Sequence, residues 1–160
     1  MITPGDPIPD VALKAVTSAG TEDVRTAEVF AAGKTVLFGV PGAFTPVCSD
    51  DHLPGFVLRS ADILARGVDR IVCVSVNDAF VMGAWARSED AGGITMLADD
   101  AAAFTAAMGL TTDASSFGLG TVRSERYAAI IEDGVLVALD VEAQFVDHEV
   151  SSADAVLAKV

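Results

Sequence analysis

Two short apolar runs constrain the fold of this chain more than any other feature of its sequence. TVLFGV (35–40) and RIVCVSV (70–76) are rich in β-branched residues and are bounded by polar or Gly/Pro positions. Such runs are typical of strands that are buried on both faces of a parallel sheet. Between them, apolar residues from Phe56 to Leu64 recur at helical spacing, and Gly67 supplies a stop. The segment therefore predicts a β-α-β unit with a right-handed crossover.

The later segments continue this alternation of helices and strands. In chain order they are a helix at 80–85, a strand at 94–97, a helix at 100–109 closed by Gly109, a hairpin at 126–141 that turns at Asp133-Gly134, and a last helix at 151–160 that starts with a serine cap. Two parallel units followed by an antiparallel hairpin and a closing helix predict a thioredoxin-like α/β fold, in which helices flank a central mixed sheet. Residues 1–160 are expected to form this fold as one domain.

The charge balance and the cysteine content exclude several classes of function. The 23 acidic residues against 10 basic ones give a net charge of −13, so we expect neither a nucleic-acid nor a membrane partner. No apolar stretch approaches the roughly 20 residues of a membrane span. The opening MITPGDPIPD lacks the basic and apolar regions of a secretory signal, so a cytoplasmic location is expected. Two cysteines and two histidines are too few for a convincing structural metal site.

The first cysteine stands in an unusual setting, the stretch PGAFTPVCSDDH (41–52). Pro41 ends the preceding strand, and Thr45-Pro46 is typical of a helix start, with threonine as the cap and proline at the first helical position. Cys48 then falls in the first turn, where unpaired N–H groups and the helix dipole favour a thiolate. Pro54 is expected to kink the helix about one turn later. The alternative is that Cys48 is a small buried filler, since cysteine is often buried.

Ionisation alone does not make such a cysteine fast. Full ionisation of an ordinary thiol raises the thiolate fraction at pH 7 roughly 30-fold. The lower pKa that this requires reduces the nucleophilicity of the thiolate by about 15- to 30-fold, so the two effects nearly cancel. A fast enzyme must therefore aim hydrogen-bond donors at the transition state. One candidate donor is the Thr45 hydroxyl, on the same helical face as Cys48. The others are Arg123 and Arg126, which open a strand that could run beside the strand preceding Cys48. Two donors around a sulfur suit a substrate with two adjacent oxygens, a peroxide.

At these residues the chain resembles a known family. VLFGVPGAFTPVCSDDHLPGF resembles the peroxiredoxin signature Pro-x-x-x-Thr-x-x-Cys, here Pro41, Thr45 and Cys48. VSVNDAFVMGAWA, LADD, GLGTVRSERYAAIIEDG and VSSADAVLA match, in order, the pattern of the atypical type II or type five subfamily, the redoxin group of the AhpC/TSA superfamily. The resemblance covers nearly the whole chain, from about residue 3 to the end.

The resemblance implies a thiol peroxidase that acts on hydrogen peroxide or organic hydroperoxides. Cys48 would be the peroxidatic cysteine and would pass through a sulfenic acid. Thr45 and Arg126 would hydrogen-bond the thiolate and the peroxide, and Pro41 would shield the pocket. The N–H groups of Val47 and Cys48 would complete the set of donors. No metal, flavin or haem is implied.

The roles of the remaining cysteine and of the two histidines stay open. Cys73 lies inside RIVCVSV, so it is either a structural residue of a strand or a slow resolving thiol. His52 matches a histidine usual in the subfamily and is expected to pack and hydrogen-bond on the helix, although its charge could modulate the local field. His148 is expected at the surface.

The resemblance also implies a reductant and an assembly. Without a resolving cysteine, glutathione with glutaredoxin would reduce the sulfenate, with thioredoxin as the next choice. Val47 and the pair Asp50-Asp51 depart from the usual family pattern, which affects the docking of this partner more than the chemistry. A homodimer is expected, through loop residues near Ala43-Phe44 and Ala79-Phe80.

Two other functions remain possible for such a chain. A peroxide sensor would share the chemistry at Cys48 but pass its oxidation to a partner protein. A catalytically inactive binding module with the same fold is the third interpretation, and the intact set of Pro41, Thr45, Cys48 and Arg126 argues against it.

Overall fold

A seven-stranded mixed β-sheet forms the centre of the structure, a computed structural model that describes all 160 residues. The strands are β1 (Ala12–Thr17), β2 (Gly20–Arg25), β3 (Lys34–Val40), β4 (Arg70–Ser75), β5 (Thr95–Ala98), β6 (Thr111–Thr112), β7 (Arg123–Ser124), β8 (Tyr127–Glu132) and β9 (Val135–Val141). The helices are α1 (Thr26–Val29), α2 (Leu53–Leu64), α3 (Ala79–Ser88), α4 (Ala103–Met108) and α5 (Ala153–Leu157), with a π-helical turn at Cys48–His52 and a 3₁₀ turn at Ser115–Phe117. No helix is both long and apolar enough to cross a membrane.

The order of the strands places β3 at the middle of the sheet. The sheet runs β2-β1-β5-β4-β3-β8-β9, and β6 pairs with β7 in a separate two-stranded ribbon. Strand β3 is parallel to β4 and antiparallel to β8, and β4 is parallel to β5. The predicted β-α-β units, the following hairpin and the mixed sheet flanked by helices are therefore confirmed. The register pairs Gly39 with Tyr127, so Arg126 lies beside the carboxyl end of β3.

The alternation of side chains along β3 divides the core between the two faces of the sheet. Phe38 belongs to the cluster that contains Cys48, Phe56 and Trp85, under helices α2, α3 and α5. Leu37 points the other way and packs in a second cluster with residues that include Phe104 and Tyr127. Cys48 therefore lies on one helix-covered face, beyond the end of a strand that is buried from Thr35 to Val40.

The predicted turns and caps are mostly present. Asp133 and Gly134 both have positive φ, 48° and 79°, as a two-residue hairpin turn requires. Gly109 ends α4 in the left-handed conformation, with φ of 71°. At the start of α5, the Ser152 side chain accepts a hydrogen bond from the Ala155 N–H, as predicted for a serine cap.

Several elements of the fold were not predicted from the sequence, among them α1 and the β6–β7 ribbon. The hairpin β1–β2 was not predicted, because β2 is an edge strand whose residues are almost all exposed and so lack an apolar pattern. A further unpredicted feature lies in the helix that carries Cys48. The helix widens into a π turn at Cys48–His52 just before Pro54, the proline at which a kink was predicted. Proline has no N–H to donate, and a wider turn is one way for the chain to accommodate it.

Candidate active site

Cys48 is fully buried at the first position of the π turn. The chain leaves β3 through the buried Pro41 and turns at Phe44, whose φ of 62° is left-handed. Helical geometry begins at Pro46, so the N–H groups of Val47 and Cys48 have no carbonyl one turn earlier within the helix. The predicted arrangement of a strand end, a loop and a helix start around Cys48 is therefore present.

Thr45 occupies the cap position, but its hydroxyl does not cap the helix. The Thr45 carbonyl accepts a hydrogen bond from the Ser49 N–H at 2.9 Å, as expected for the residue before a helix. Its hydroxyl donates to the carbonyl of Gly42 at 2.6 Å. Because that proton is already committed, the hydroxyl oxygen is free to accept a hydrogen bond from the thiol or from a bound molecule.

Arg126 is the positive group that reaches the sulfur. Arg126 is 2% exposed, and its Nη2 donates to Cys48 Sγ at 3.1 Å. Nη1 donates to His52 Nδ1 at 2.9 Å, and Nε donates to the carbonyl of Phe145 at 2.9 Å. Besides the reacting sulfur, its two acceptors are an uncharged imidazole nitrogen and a backbone carbonyl, and no carboxylate pairs with this arginine. The positive charge therefore acts on the sulfur without a competing anion.

Arg123, the second arginine considered from the sequence, does not reach the sulfur. Its Nε donates to the carbonyl of Leu119 at 2.7 Å, and its Nη1 donates to the carbonyl of Val76 at 2.8 Å. Arg123 therefore holds two loops together beside the site. Of the two arginines, the fold brings only Arg126 to Cys48.

His52 is a buried neutral side chain that connects the helix to Arg126. Its ring packs against Phe38 and Phe56, with centroids 5.0 and 5.6 Å away. Because Nδ1 accepts from Arg126, the proton lies on Nε2, which donates to the carbonyl of Ser151 at 3.0 Å. Burial, together with the nearby charges of Arg126 and His148, holds the pKa of His52 well below its usual value. The expected packing and hydrogen bonding are present, and the contact with Arg126 adds to them.

The expectation that His148 lies at the surface is wrong. Its ring centroid is 4.9 Å from that of His52, the residue is half-buried, and its Nε2 is buried without a hydrogen-bond partner. Burial and the charge of Arg126 lower the pKa of His148, although Asp51 and Glu142 oppose the shift. This contact could not be predicted from the sequence, because 96 positions separate the two histidines.

The low pKa of His52 predicts how stability depends on pH. The folded state holds His52 neutral, while a histidine in the unfolded chain takes up a proton near pH 6.5. The free energy of unfolding is therefore undiminished above about pH 6.5 and decreases as the pH falls below it. The expected slope is about 1.4 kcal/mol per pH unit. Urea denaturation at pH 7.5 and 5.5 measures it, above the range in which ordinary carboxylates titrate. His52→Phe should flatten the pH dependence of the free energy of unfolding, whereas His148→Gln, at a half-buried position, should retain most of that dependence. An equally steep slope in His52→Phe would contradict the assignment of the pH dependence to His52.

Cys73 lies in the centre of the sheet, on the strand predicted at RIVCVSV. It is fully buried on β4, between Phe38 of β3 and Met96 of β5 in the strand register, and both cysteines are free thiols. Burial, and to a smaller extent Cys48, raise the pKa of the Cys73 thiol well above its usual value. Cys73 is therefore protonated at neutral pH in this conformation, and a protonated thiol is not the attacking species. Whether it is structural or resolving stays a prediction.

Two contacts of the site had no signal in the sequence. Trp85 of α3 donates from Nε1 to the hydroxyl of Ser49 at 2.9 Å, which ties the π turn to a neighbouring helix. The segment between Glu142 and Ser151 supplies the carbonyls that hold Arg126 and His52. No group of three or more His, Cys, Asp or Glu side chains is placed to hold a metal ion. The arrangement can bind an anionic sulfur and an oxygen-rich substrate beside it.

Comparisons with known proteins agree with this geometry. The model of the Redoxin family matches residues 3–157. The chain is 48% identical to the chloroplastic peroxiredoxin-2E-2 of Oryza sativa subsp. japonica over 88% of its own length, but it spans only 65% of that relative. It is 41% identical to peroxiredoxin-2B of Arabidopsis thaliana, with 98% of this chain and 96% of the relative covered. The crystal structure of reduced Prx3 from Vibrio vulnificus in complex with hydrogen peroxide is similar at a TM-score of 0.93 and 48% identity, and 99% of each chain is covered. The last likeness confirms the thioredoxin-like fold.

Proposed function

Because the chain belongs to the Redoxin family and is a peroxiredoxin, we propose that it is a thiol peroxidase that reduces hydrogen peroxide and organic hydroperoxides at Cys48. The observation that carries this proposal is the 3.1 Å hydrogen bond from the buried Arg126 guanidinium to the Cys48 sulfur. A guanidinium without a carboxylate partner stabilises a thiolate, and it can also stabilise negative charge that develops on a nearby oxygen. A catalytically inactive binding module would have no use for this buried charge.

The proposed reaction begins with attack of the thiolate on one peroxide oxygen. A sulfur–oxygen bond forms as the oxygen–oxygen bond breaks, so the sulfur loses two electrons and the leaving oxygen gains them. The leaving oxygen takes up a proton and departs as water or an alcohol, and Cys48 becomes a sulfenic acid. Two external thiol groups then reduce the sulfenic acid, which releases water and leaves a disulfide between the reductants.

The residues around Cys48 would share the work of this step. Arg126 would stabilise the thiolate and the developing oxyanion, and the N–H groups of Val47 and Cys48 would donate to the peroxide. The oxygen of the Thr45 hydroxyl would accept a hydrogen bond from the peroxide O–H while its own proton stays bonded to the Gly42 carbonyl. The buried Pro41 would keep water away from the sulfur.

We further propose that an external thiol, and not Cys73, reduces the sulfenic acid. The full burial of Cys73 and the raised pKa of its thiol support this proposal, because the thiolate is the attacking species. Glutathione with glutaredoxin is the first choice of reductant and thioredoxin the second. The acidic Asp50 and Asp51 are exposed beside Cys48 and would influence which partner docks there.

A homodimer is proposed through the face around the site. Phe44 is 53% exposed and Phe80 is 89% exposed, and an apolar surface of this kind often marks a contact. Ala43 and Ala79, by contrast, pack against the core. Sedimentation velocity decides this point: a dimer that dissociates in Phe80→Ser supports the proposal, and a monomer in the unsubstituted protein contradicts it.

The intact mass of the reduced protein after one equivalent of hydrogen peroxide tests the peroxidase proposal. We expect the mass to increase by one oxygen within seconds, because the sulfenic acid has no accessible partner thiol, and we expect no increase in Cys48→Ser. Addition of glutathione with glutaredoxin, or of thioredoxin, should then restore the reduced mass.

The Cys73→Ser variant is the matched control for this experiment. A loss of two hydrogens in the unsubstituted protein that is absent in Cys73→Ser would show that Cys73 resolves the sulfenic acid, which contradicts the external-thiol proposal alone. If neither variant nor the unsubstituted protein changes mass, the peroxidase proposal fails. Oxidation without reduction by any of the thiol systems would instead favour the peroxide sensor.

A further inference from the structure

A segment outside any helix or strand, between Glu142 and Ser151, provides the acceptors that surround the active-site arginine. The carbonyl of Phe145 accepts from Arg126 Nε at 2.9 Å. The carbonyl of Ser151 accepts from His52 Nε2 at 3.0 Å, and His52 in turn accepts from Arg126 Nη1 at 2.9 Å. One segment therefore holds Arg126 both directly and through a histidine.

The planar shape of guanidinium makes these two bonds decisive. Once acceptors fix Nε and Nη1, the plane and the rotation of the group are set, and the direction of Nη2 follows. Nη2 is the atom that donates to the Cys48 sulfur, at 3.1 Å. Since no carboxylate restrains Arg126, its aim depends on the positions of the Phe145 carbonyl and of His52.

Glu142 is the group that gives this segment its shape. One of its oxygens, Oε1, accepts three hydrogen bonds: from the Glu149 N–H at 2.7 Å, the Ser151 N–H at 2.9 Å and the Ser151 hydroxyl at 2.8 Å. The Glu142 N–H also donates to the carbonyl of Arg126 at 2.9 Å. Glu142 is 5% exposed, so these bonds form in a site that excludes most water.

We propose that Glu142 is a positioning residue of the active site: it closes the Glu142–Ser151 segment into a loop whose Phe145 and Ser151 carbonyls, the latter through His52, aim Arg126 at the Cys48 sulfur. This inference rests on the proposed function, because it assumes that Arg126 acts on the reaction at Cys48. The proposed role of Glu142 adds no chemical step to the reaction. Glu142 touches neither the sulfur nor the substrate and acts through the other residues.

Glu142→Ala tests the proposal through the single-turnover rate of Cys48 oxidation by hydrogen peroxide. A misplacement of about 1 Å can cost about 10²-fold in rate, so we expect a 10- to 100-fold decrease. The rate of Cys48 alkylation by iodoacetamide at pH 7 should fall as well, because a misdirected guanidinium stabilises negative charge on the sulfur less. Glu149→Ala is the matched control. It removes an acidic side chain from the same segment, and that side chain makes none of these bonds because Glu149 donates through its backbone N–H. It should leave both measurements unchanged.

A double-mutant cycle with Arg126→Gln separates positioning from a general loss of structure. If Glu142 acts through Arg126, Glu142→Ala should cost nothing further in the Arg126→Gln background. Equal decreases in both backgrounds, or an unchanged rate in folded Glu142→Ala, would overturn the proposal. An Arg126→Gln variant as fast as the unsubstituted protein would instead contradict the proposed role of Arg126, which keeps the two failures distinct.

A second variant covers the case in which Glu142→Ala does not fold. Glu142→Asp keeps the charge but shortens the side chain by one methylene, so its carboxylate cannot meet the three donors with the segment unmoved. We expect a decrease in the same direction, about 3- to 10-fold, that again disappears in the Arg126→Gln background. No decrease in folded Glu142→Asp, or a decrease that persists in the Arg126→Gln background, would overturn the proposal.

Discussion

Arg126→Gln should slow the oxidation of Cys48 by hydrogen peroxide by about 10²–10³-fold, the usual cost of removing one donor from a site that stabilises an oxyanion. The substitution removes the charge that faces the sulfur and the Nη2 donor, 3.1 Å from Sγ, while the side chain remains polar. Stopped-flow measurement of the single-turnover rate at pH 7 checks this value. The second-order rate constant, the slope of the observed rate against peroxide concentration, should fall, because the lost interaction stabilises both the thiolate and the transition state.

Two further variants show whether charge or geometry is responsible. Arg126→Lys keeps a positive charge but loses the planar fork that bonds the sulfur, His52 and Phe145 together, so it should also be slow. Arg70→Gln is the matched control, since Arg70 bonds Thr35 and Ala32 at the opposite end of β4. A rate within about threefold of normal in Arg126→Gln, below the 10²-fold cost of one lost donor, would remove the basis of the peroxidase mechanism.

Gly39→Ala should be the most destabilising single methyl substitution in the sheet. A Cβ at this position would lie 2.1 Å from Cε1 of Tyr127, closer than any real contact. Tyr127 is fully buried in the second core cluster and has no room to withdraw. Overpacking of this kind costs about 3 kcal/mol or more, which for a domain of this size lowers Tm by about 6–12 °C.

Thermal unfolding of a small set of variants measures this clash. Gly92→Ala is the matched control, because a Cβ there meets nothing within 4 Å and the backbone is not left-handed, so Tm should barely change. Tyr127→Leu should recover much of the stability lost in Gly39→Ala, since the shorter side chain vacates the position of Cε1. Equal effects of Gly39→Ala with tyrosine or with leucine at 127 would show that the ring is not the obstacle.

The close approach of Gly39 to Tyr127 also bears on the site. Gly39 is the next-to-last residue of β3, and Tyr127 follows Arg126 directly. A shift of β8 that relieved the clash would move Arg126 with it, so Gly39→Ala should also slow the reaction at Cys48. The packing of the second core cluster is therefore connected to the aim of the arginine on the other face of the sheet.

The features that could be predicted from the sequence are those that neighbouring residues encode. The periodicity of apolar residues predicted the β-α-β units and the hairpin, because burial on a strand or helix repeats every few positions. Thr45 and Pro46 predicted a helix start, and Asp133-Gly134 predicted a turn, because each restricts the local backbone. The resemblance to the peroxiredoxin signature then identified Cys48 and Arg126 although 78 positions separate them.

The sequence could not predict which distant side chains meet, since that depends on the sheet order, the strand register and the path of irregular segments. Arg123 and Arg126 are close in sequence, yet the β3–β8 register brings only Arg126 to the sulfur. The contact of His52 with Arg126 and the enclosure of His148 arise in the same way. In the sequence Glu142 has nothing to distinguish it from other acidic residues, whereas in the fold it is buried and accepts three hydrogen bonds. The sequence by itself thus determined the β-α-β units, the β8–β9 hairpin and the position of the candidate nucleophile, because neighbouring residues encode them. Only the tertiary structure decided how the arginine is aimed at that cysteine, because this depends on contacts between distant residues.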